Sequence, residues 1–226
     1  HMKKSLLMVV LVALVATAFA QKIGAKDPVS PTVNLKKIAV LPLMFRKGDS
    51  ESNNKTAIDA YAATLHDAFT KLGIEQIDQA KVNGTWQRST GQMFEPSRFD
   101  LPTPEDVVKF GKDMGVDYVA VSRCRWDVRT VVTWKGIQTT AKARIDLWII
   151  NVAKSEFSLK VDGAVTDSRE KIPDWKAAVS LLILPITFVS GGPETPHMVR
   201  SGQLAVAKAL APWLEKQTPN NLRIGG

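Results

Sequence analysis

The clearest pattern of apolar and polar positions lies between residues 137 and 150. Its odd positions read Ile, Thr, Ala, Ala, Ile, Leu, Ile, and its even positions are mostly polar or charged. A period of two predicts a long strand with one buried and one wetter side. Lys135-Gly136 predicts a hairpin turn, so residues 126–134 are expected to pair with this strand antiparallel. Residues 157–165 alternate again, with Phe157, Leu159, Val161, Gly163 and Val165 on one side, which completes a predicted meander.

Apolar residues spaced by three and four predict helices in other parts of the chain. Gly73 is expected to end the first helix in a left-handed conformation. Thr103 followed by Pro104 and two acids predicts the start of another helix. The predicted helices span 55–72, 103–114, 175–189 (interrupted by Pro185) and 196–216.

Short apolar runs predict the remaining strands at 36–43, 74–77 and 116–121. The last run is apolar on both sides, which is typical of a central strand. Residues 44–54 and 81–101 show no clean period and are predicted as loops. The order is β-α-β, α-β, a meander and two helices. It predicts a single α/β domain over 35–216, with a mixed sheet, a C-terminal antiparallel meander and about four helices.

The N-terminus has the pattern of a secretory signal peptide. Lys3 and Lys4 precede the apolar run 6–15, and Ala18-Phe19-Ala20 supplies the small residues of a cleavage site before Gln21. Residues 1–20 are therefore interpreted as a tag remnant (His1) and a cleaved signal peptide, 21–34 as a linker and 217–226 as a flexible tail. An uncleaved anchor is the alternative, but the run is shorter than the ~20 residues that span a bilayer. We expect export to the periplasm, with outer-membrane association as an alternative.

Composition limits the chemistry that the chain can perform. Of 226 residues, 30 are Lys or Arg and 22 are Asp or Glu, a net charge of +8 that falls to +6 without the two lysines of the leader. This charge favours anionic lipid or an anionic envelope polymer. No nucleic-acid motif accompanies it, so no nucleic-acid partner is expected. A single cysteine, Cys124, excludes an intramolecular disulfide and is expected to be buried. We predict no metal site and no cofactor.

The wetter side of the predicted meander is the first candidate site. Arginine and tryptophan together are typical of binding hot spots, which favours a face for a protein partner or an anionic polymer. The alternative is a sheet covered by a packing helix, with Trp148 in the core and the charges at its rim. The candidate residues are Arg125, Trp126, Arg129, Trp134, Lys142, Arg144 and Trp148.

Two further segments are candidates. The apolar stretch 177–189, with Leu181, Leu182, Leu184 and Phe188, is either a buried helix or an interface with a membrane or another subunit. The turn at Ser190, Gly191 and Gly192, followed by His197, is either a structural loop, an anion cradle or the nucleophile and base of a hydrolase.

Three segments in this order resemble a family of envelope proteins. Residues 37–43 (KIAVLPL) resemble the "KIAVLPF" opening strand of the curli-secretion-channel (CsgG) family, of the TolB N-terminal domain and of the lipoprotein activators of penicillin-binding proteins (LpoB). Residues 115–122 (GVDYVAVS) resemble their "GADYVVVGS" strand, and 143–151 (ARIDLWIIN) their "ARLVDV" strand. The resemblance covers about 36–165. Two features depart from it: the lipobox cysteine is missing, and the "TGE" turn is Ala153-Lys154-Ser155-Glu156.

The resemblance implies an anticodon-binding-domain-like fold in an envelope protein that binds partners or forms rings and is not an enzyme. We therefore expect a non-catalytic periplasmic adaptor that binds another envelope protein or itself. A subunit of an outer-membrane secretion channel or ring is the first alternative. A periplasmic hydrolase built on Ser190 and His197 is the second.

Overall fold

The computed structural model describes residues 36–46, 51–170 and 194–217. The predicted signal peptide, the linker, the apolar helix 175–189, the turn residues 190–193 and the tail from 218 onward lie outside the described residues.

The described part of the chain forms six strands and four helices, as the predicted α/β class requires. They are β1 (Lys37–Val40), β2 (Met44–Phe45), α1 (Glu51–Lys71), β3 (Glu75–Gln76), α2 (Gln79–Thr90), α3 (Pro104–Met114), β4 (Tyr118–Thr133), β5 (Gly136–Asn151), β6 (Glu156–Asp167) and α4 (Thr195–Gln217), with a 3-10 turn at Pro96–Arg98.

The strands form one mixed sheet in the order β3-β1-β4-β5-β6, and β2 also pairs with β4. β1 runs parallel to β3 and β4, whereas β4, β5 and β6 are antiparallel. The predicted mixed sheet with its C-terminal meander is therefore confirmed. β4 is one continuous strand of 16 residues, although the sequence pattern predicted two separate pieces.

Helices cover both sides of the sheet. On one side, α1 and α4 pack on the inward positions of β4 and β5, including Cys124, Ile145 and Leu147. On the other side, α2 and α3 pack on Val119 and Val121 of β4 and on Ile150 of β5. Cys124 is buried, as predicted. Burial also raises the pKa of the Tyr61 hydroxyl, so this tyrosine stays neutral in the core.

The predicted helix signals at α3 and α4 are confirmed. The Thr103 hydroxyl accepts a hydrogen bond from the Asp106 amide at 3.2 Å, and Gly115 ends α3 with φ of 65°. In α4, the predicted core positions are all buried; they are Val199, Leu204, Ala205, Leu210 and Leu214. Local capping and apolar spacing agree with the tertiary packing in both helices.

The predicted loop at 81–101 is wrong, because α2 occupies residues 79–90. Asp78 caps this helix by accepting hydrogen bonds from the amides of Ala80 and Lys81 at 2.9 and 3.3 Å. Its buried side consists of Val82, Thr85, Trp86 and Ser89. Two of these four residues carry hydroxyl groups, so hydrophobicity alone does not show the helical period.

The predicted loop at 44–54 is also wrong at both ends. Met44 and Phe45 form β2, which pairs in parallel with Arg123 and Cys124 of β4. Helix α1 then begins at Glu51, four residues before its predicted start. The two residues of β2 are too few to show an alternation of apolar and polar positions. The first turn of α1 is polar, so the apolar spacing does not reveal where this helix begins.

The predicted inward row of β6 holds only for Leu159 and Val161. Phe157 pairs with Ile150 beyond one register shift, is 39% exposed and packs against Trp148 on the other side of the sheet. A register shift places Val161 opposite Leu147 but Ala164 opposite Ile145, with Gly163 in a left-handed conformation between them. This bulge reverses the alternation. Thr166 is consequently buried and donates a hydrogen bond to the Ser201 carbonyl at 2.7 Å, whereas Val165 is 41% exposed.

Two glycines in α2 and α3, the helices on one side of the sheet, provide a test of how these helices pack. A Cβ added at Gly111 of α3 would lie 2.9 Å from Val119 Cγ2 and would also clash with Val152, whereas a Cβ at Gly84 of α2 meets no atom within 4 Å. We expect Gly111→Ala to lower the free energy of unfolding by about 1–3 kcal/mol. Gly84→Ala should instead raise it by about 0.5–1 kcal/mol, because alanine favours the helix.

Urea unfolding of the two variants measures this difference. Equal effects of the two substitutions would contradict the placement of α3 directly against β4.

Candidate binding face of the sheet

The side of the sheet that α2 and α3 cover continues beyond these helices as a row of charged residues. Solvent reaches all of these side chains, which are exposed or half-buried. We call this surface the charged face; it consists of Arg123, Arg125, Asp127 and Arg129 on β4 and Lys142, Arg144 and Asp146 on β5.

The first cross-strand pair of the charged face is Arg123 with Asp146. The Arg123 Nε donates to the Asp146 carboxylate, which also accepts a hydrogen bond from the Gly163 amide. The second arm of the same guanidinium donates to the Phe99 carbonyl at 3.2 Å. Arg123 therefore links the sheet to the loop that carries Phe99.

Phe99 closes one end of the charged face. Its ring centroid lies 5.1 Å from the Arg123 guanidinium carbon, within the range of a cation–π contact. Its φ is 60°, a left-handed conformation that is costly for a phenylalanine. The contacts with Arg123 hold this conformation, and strained residues of this kind cluster at binding sites.

The second cross-strand pair, Arg125 with Arg144, brings two positive charges together. Like charges directly opposite each other in a sheet are destabilising. The Arg125 guanidinium turns to Asp127 on its own strand, with Nη2 to Oδ1 at 2.9 Å. Within residues 36–46, 51–170 and 194–217, the Arg144 guanidinium makes no hydrogen bond and no ion pair.

The third pair restores the balance of charge. Lys142 lies opposite Asp127 on β4 and opposite Asp167 on β6. The hydrogen bond from Arg169 lowers the pKa of Asp167, and the positive charges of Arg169 and Lys142 act in the same direction. Arg125–Arg144 is thus the one like-charged pair among these three.

An open depression of about 380 Å³ lies over the first two pairs. Its walls are Phe99, Arg123, Arg125, Arg144, Asp146, Asp162 and Gly163. A guanidinium presents a planar fork of donors that matches a carboxylate or a phosphate. Because Arg144 has its donors available beside Arg125, the depression is suited to one anionic group.

The structure places the predicted site residues at different points along this side. Arg125 and Arg144 face each other, and Lys142 lies one pair further along. Arg129 lies beyond it and lines a separate depression of about 350 Å³ with Asp127 and Lys142. Trp134 lies in the hairpin turn, remote from Arg144.

Trp148 is half-buried between the α2–α3 core and the charged face. Its indole Nε1 donates to Asp162 at 2.9 Å, and its ring packs edge-on against Phe157 at 5.5 Å between centroids. The alternative prediction, a sheet covered by a helix with Trp148 in the core, therefore describes one end of this side. The charged face begins where the cover of α2 and α3 ends.

The prediction that Trp126 belongs to the same surface as Arg125 is wrong. Trp126 is 5% exposed on the opposite side of the sheet, where its Nε1 donates to the Met198 carbonyl of α4 at 2.9 Å. Adjacent residues of a strand point to opposite sides, so Arg125 and Trp126 cannot share a face.

The remaining candidates lie mostly outside the described residues. Ser190, Gly191 and Gly192 do, and so do Leu181, Leu182, Leu184 and Phe188. His197 is half-buried in the first turn of α4, where its amide donates to the Glu194 carbonyl at 3.1 Å.

The described ranges hold neither a candidate metal cluster nor a candidate membrane-spanning helix. No cluster of three or more His, Cys, Asp or Glu side chains there is arranged to hold a metal ion. None of the helices there has the length and apolar character needed to cross a membrane.

Sequence reasoning missed Phe99, Arg123, Asp146 and Asp162 as parts of the depression. Arg123 and Asp146 share the parity of Arg125 and Arg144 in their strands, so alternation alone was a sufficient signal for them. Phe99 and Asp162 reach the site through a loop and a bulge, for which the sequence carries no periodic signal.

Comparisons with known proteins give a partial likeness of the backbone. No family model matches the chain, and no curated protein matches it. Among solved structures, lipoprotein GNA1162 of Neisseria meningitidis is 15% identical over 60% of this chain and 86% of its own, with a TM-score of 0.39. LpoB of Escherichia coli is 14% identical over 59% and 58%, with a TM-score of 0.36. A PelC dodecamer from Paraburkholderia phytofirmans is 14% identical over 79% and 87%, with a TM-score of 0.38.

The like-charged pair leads to a stability prediction. Arg144→Gln removes the repulsion with Arg125, and we expect it to raise the free energy of unfolding by up to about 1 kcal/mol. Arg123→Gln should instead lower it by roughly 1–3 kcal/mol, because it leaves Asp146 without its charged partner.

Urea unfolding in low and high salt tests this contrast. The gain in Arg144→Gln should shrink in high salt, because salt screens exposed charges. A loss of stability in Arg144→Gln would show that Arg144 has a structural partner.

Proposed function

We propose that this chain is a non-catalytic protein of the periplasmic cell envelope that binds a partner protein through the charged face. Arg144 binds a carboxylate of that partner, and Arg125 supports it. The observation that carries the proposal is the Arg144 guanidinium, which lacks an anion among the described residues and lies opposite a second arginine. A bound carboxylate would offset the repulsion between the two.

A protein partner fits the surroundings of Arg144 better than a small free anion. Trp148 and Phe157 lie on the same side of the sheet, and the Lys160 ammonium lies 5.6 and 5.2 Å from their ring centroids. Aromatic and arginine side chains at one surface are the usual composition of an interface centre. The depression is open, so it admits a side chain that belongs to a larger surface.

The cell-envelope location in this proposal is supported by the sequence. The leader pattern of residues 1–20 supports export. The resemblance of residues 37–43, 115–122 and 143–151 to the CsgG, TolB and LpoB group supports kinship with envelope proteins that bind partners. A relationship of this chain to that group is therefore part of the same proposal.

Cross-linking in the native host tests the proposal. A C-terminal tag avoids the leader, and mass spectrometry identifies what is captured. We expect the wild type to capture a specific envelope protein and Arg144→Glu to lose at least about 90% of it. A tenfold loss of affinity corresponds to about 1.4 kcal/mol, which exceeds the cost of truncating most interface residues. A glutamate opposite Arg125 forms a favourable pair, so misfolding does not explain the loss.

Lys81→Glu is the matched control, since it makes the same charge change on the exposed side of α2. It should capture the partner as the wild type does. Equal capture by Arg144→Glu would refute the role of the charged face. Self-links alone, lost in Arg144→Glu, would replace the envelope partner with a second copy of this chain.

A further inference from the structure

The turn between β4 and β5 carries an unusual group of exposed apolar side chains. Trp134 is 91% exposed, Val132 78% and Ile137 69%. Val131 is also more than one-third exposed. We call residues 131–138 the hairpin tip.

The hairpin tip stands clear of the other described strands. The pairing of β2 with β4 ends at Cys124, and β6 pairs with β5 only from Lys142 onward. From Val128 and Ala141 to the turn, β4 and β5 therefore continue as a two-stranded arm. At about 3.3 Å per residue, this arm extends roughly 20 Å.

The apolar groups lie on both faces of the arm and in its turn. Val132 and Ile137 are cross-strand neighbours on the side of α1 and α4, whereas Val131 lies opposite Gln138 on the side of the charged face. Trp134 projects from the turn itself. A flat protein surface would cover the apolar groups on one face of the arm only. A lipid interface is fluid and can cover the groups on both faces.

The charge of the arm is positive. Between Val128 and Ala141 the arm carries two cations, Arg129 and Lys135, and no acid. The Lys135 ammonium lies 4.9 Å from the Trp134 ring centroid. Glu194, which precedes α4, approaches the arm behind the tip, where its carboxylate accepts a hydrogen bond from the Thr130 hydroxyl at 3.4 Å.

We propose that the hairpin tip docks on the surface of an anionic lipid membrane. Trp134, Val132 and Ile137 enter the interface between headgroups and acyl chains, where amphipathic tryptophan rings are favoured. Lys135 extends its ammonium to the lipid phosphates. Arg129 adds attraction behind it.

This surface is separate from the site of the proposed function. Arg144 lies about 25 Å from the turn along the strand. Membrane docking and partner binding can therefore succeed or fail independently.

A dye at the tip measures docking locally, apart from any contribution of the leader. The full chain with Gln138→Cys takes an environment-sensitive dye at the tip, since Cys124 is buried. Vesicles of phosphatidylglycerol and phosphatidylcholine should shift its emission to the blue, and vesicles of phosphatidylcholine alone should shift it far less. A dye on Lys81→Cys, on the exposed side of α2, should not respond.

Two substitutions in the labelled protein separate the two parts of the interaction. We expect Trp134→Ser to weaken the dye response to anionic vesicles about tenfold. Lys135→Gln should weaken it about fivefold in low salt. Met93→Ser is the matched control, because Met93 is a 70% exposed apolar residue elsewhere.

An undiminished response in Trp134→Ser would overturn the proposal. A blue shift that grows with protein concentration without vesicles would also overturn it, in favour of a second copy of this chain. A tip dye that stays unchanged while the protein binds vesicles would assign membrane binding to another part of the chain.

Discussion

The unbroken pairing of β4 with β5, from Tyr118 with Asn151 to Thr133 with Gly136, is the constraint on which the rest of the structure depends. Successive residues of paired strands point to opposite sides, so this register assigns every side chain of the hairpin to one side. One side takes Cys124, Trp126 and Ile145 into the core. The other takes Arg125 and Arg144 to solvent, because α2 and α3 cover only its first residues.

The same constraint accounts for the juxtaposition of two arginines. Neither side chain can leave the charged face without moving its whole strand into the wrong register. Arg125 relieves part of the repulsion through Asp127, whereas the Asp146 carboxylate accepts from Arg123 and from the Gly163 amide. Such a local cost in stability is common at functional sites, and it is the feature on which the proposed partner-binding role rests.

Much of the fold could be predicted from sequence where local and tertiary preferences agree. The alternation of β5 correctly predicted its inward row from Ala141 to Ile149. It failed at Ile137, which continues the row but is 69% exposed on the arm. Helix α2 was missed because its buried side includes Thr85 and Ser89. In the candidate site, the alternation of β5 placed Arg144 on the wetter side, whereas Phe99 depends on a loop conformation and Asp162 on a bulge.

The two cores differ in the order in which their residues leave the ribosome or a translocation pore. The core beneath α2 and α3 draws all its described residues from 39–152. The core beneath α1 needs residues 198–214 of the last helix, including Trp213. A chain that emerges N-terminus first can thus complete one side of the sheet while the other stays open. Until α4 docks and Met198 accepts its hydrogen bond from Trp126, the apolar side of the meander is exposed to any chaperone that accompanies the chain.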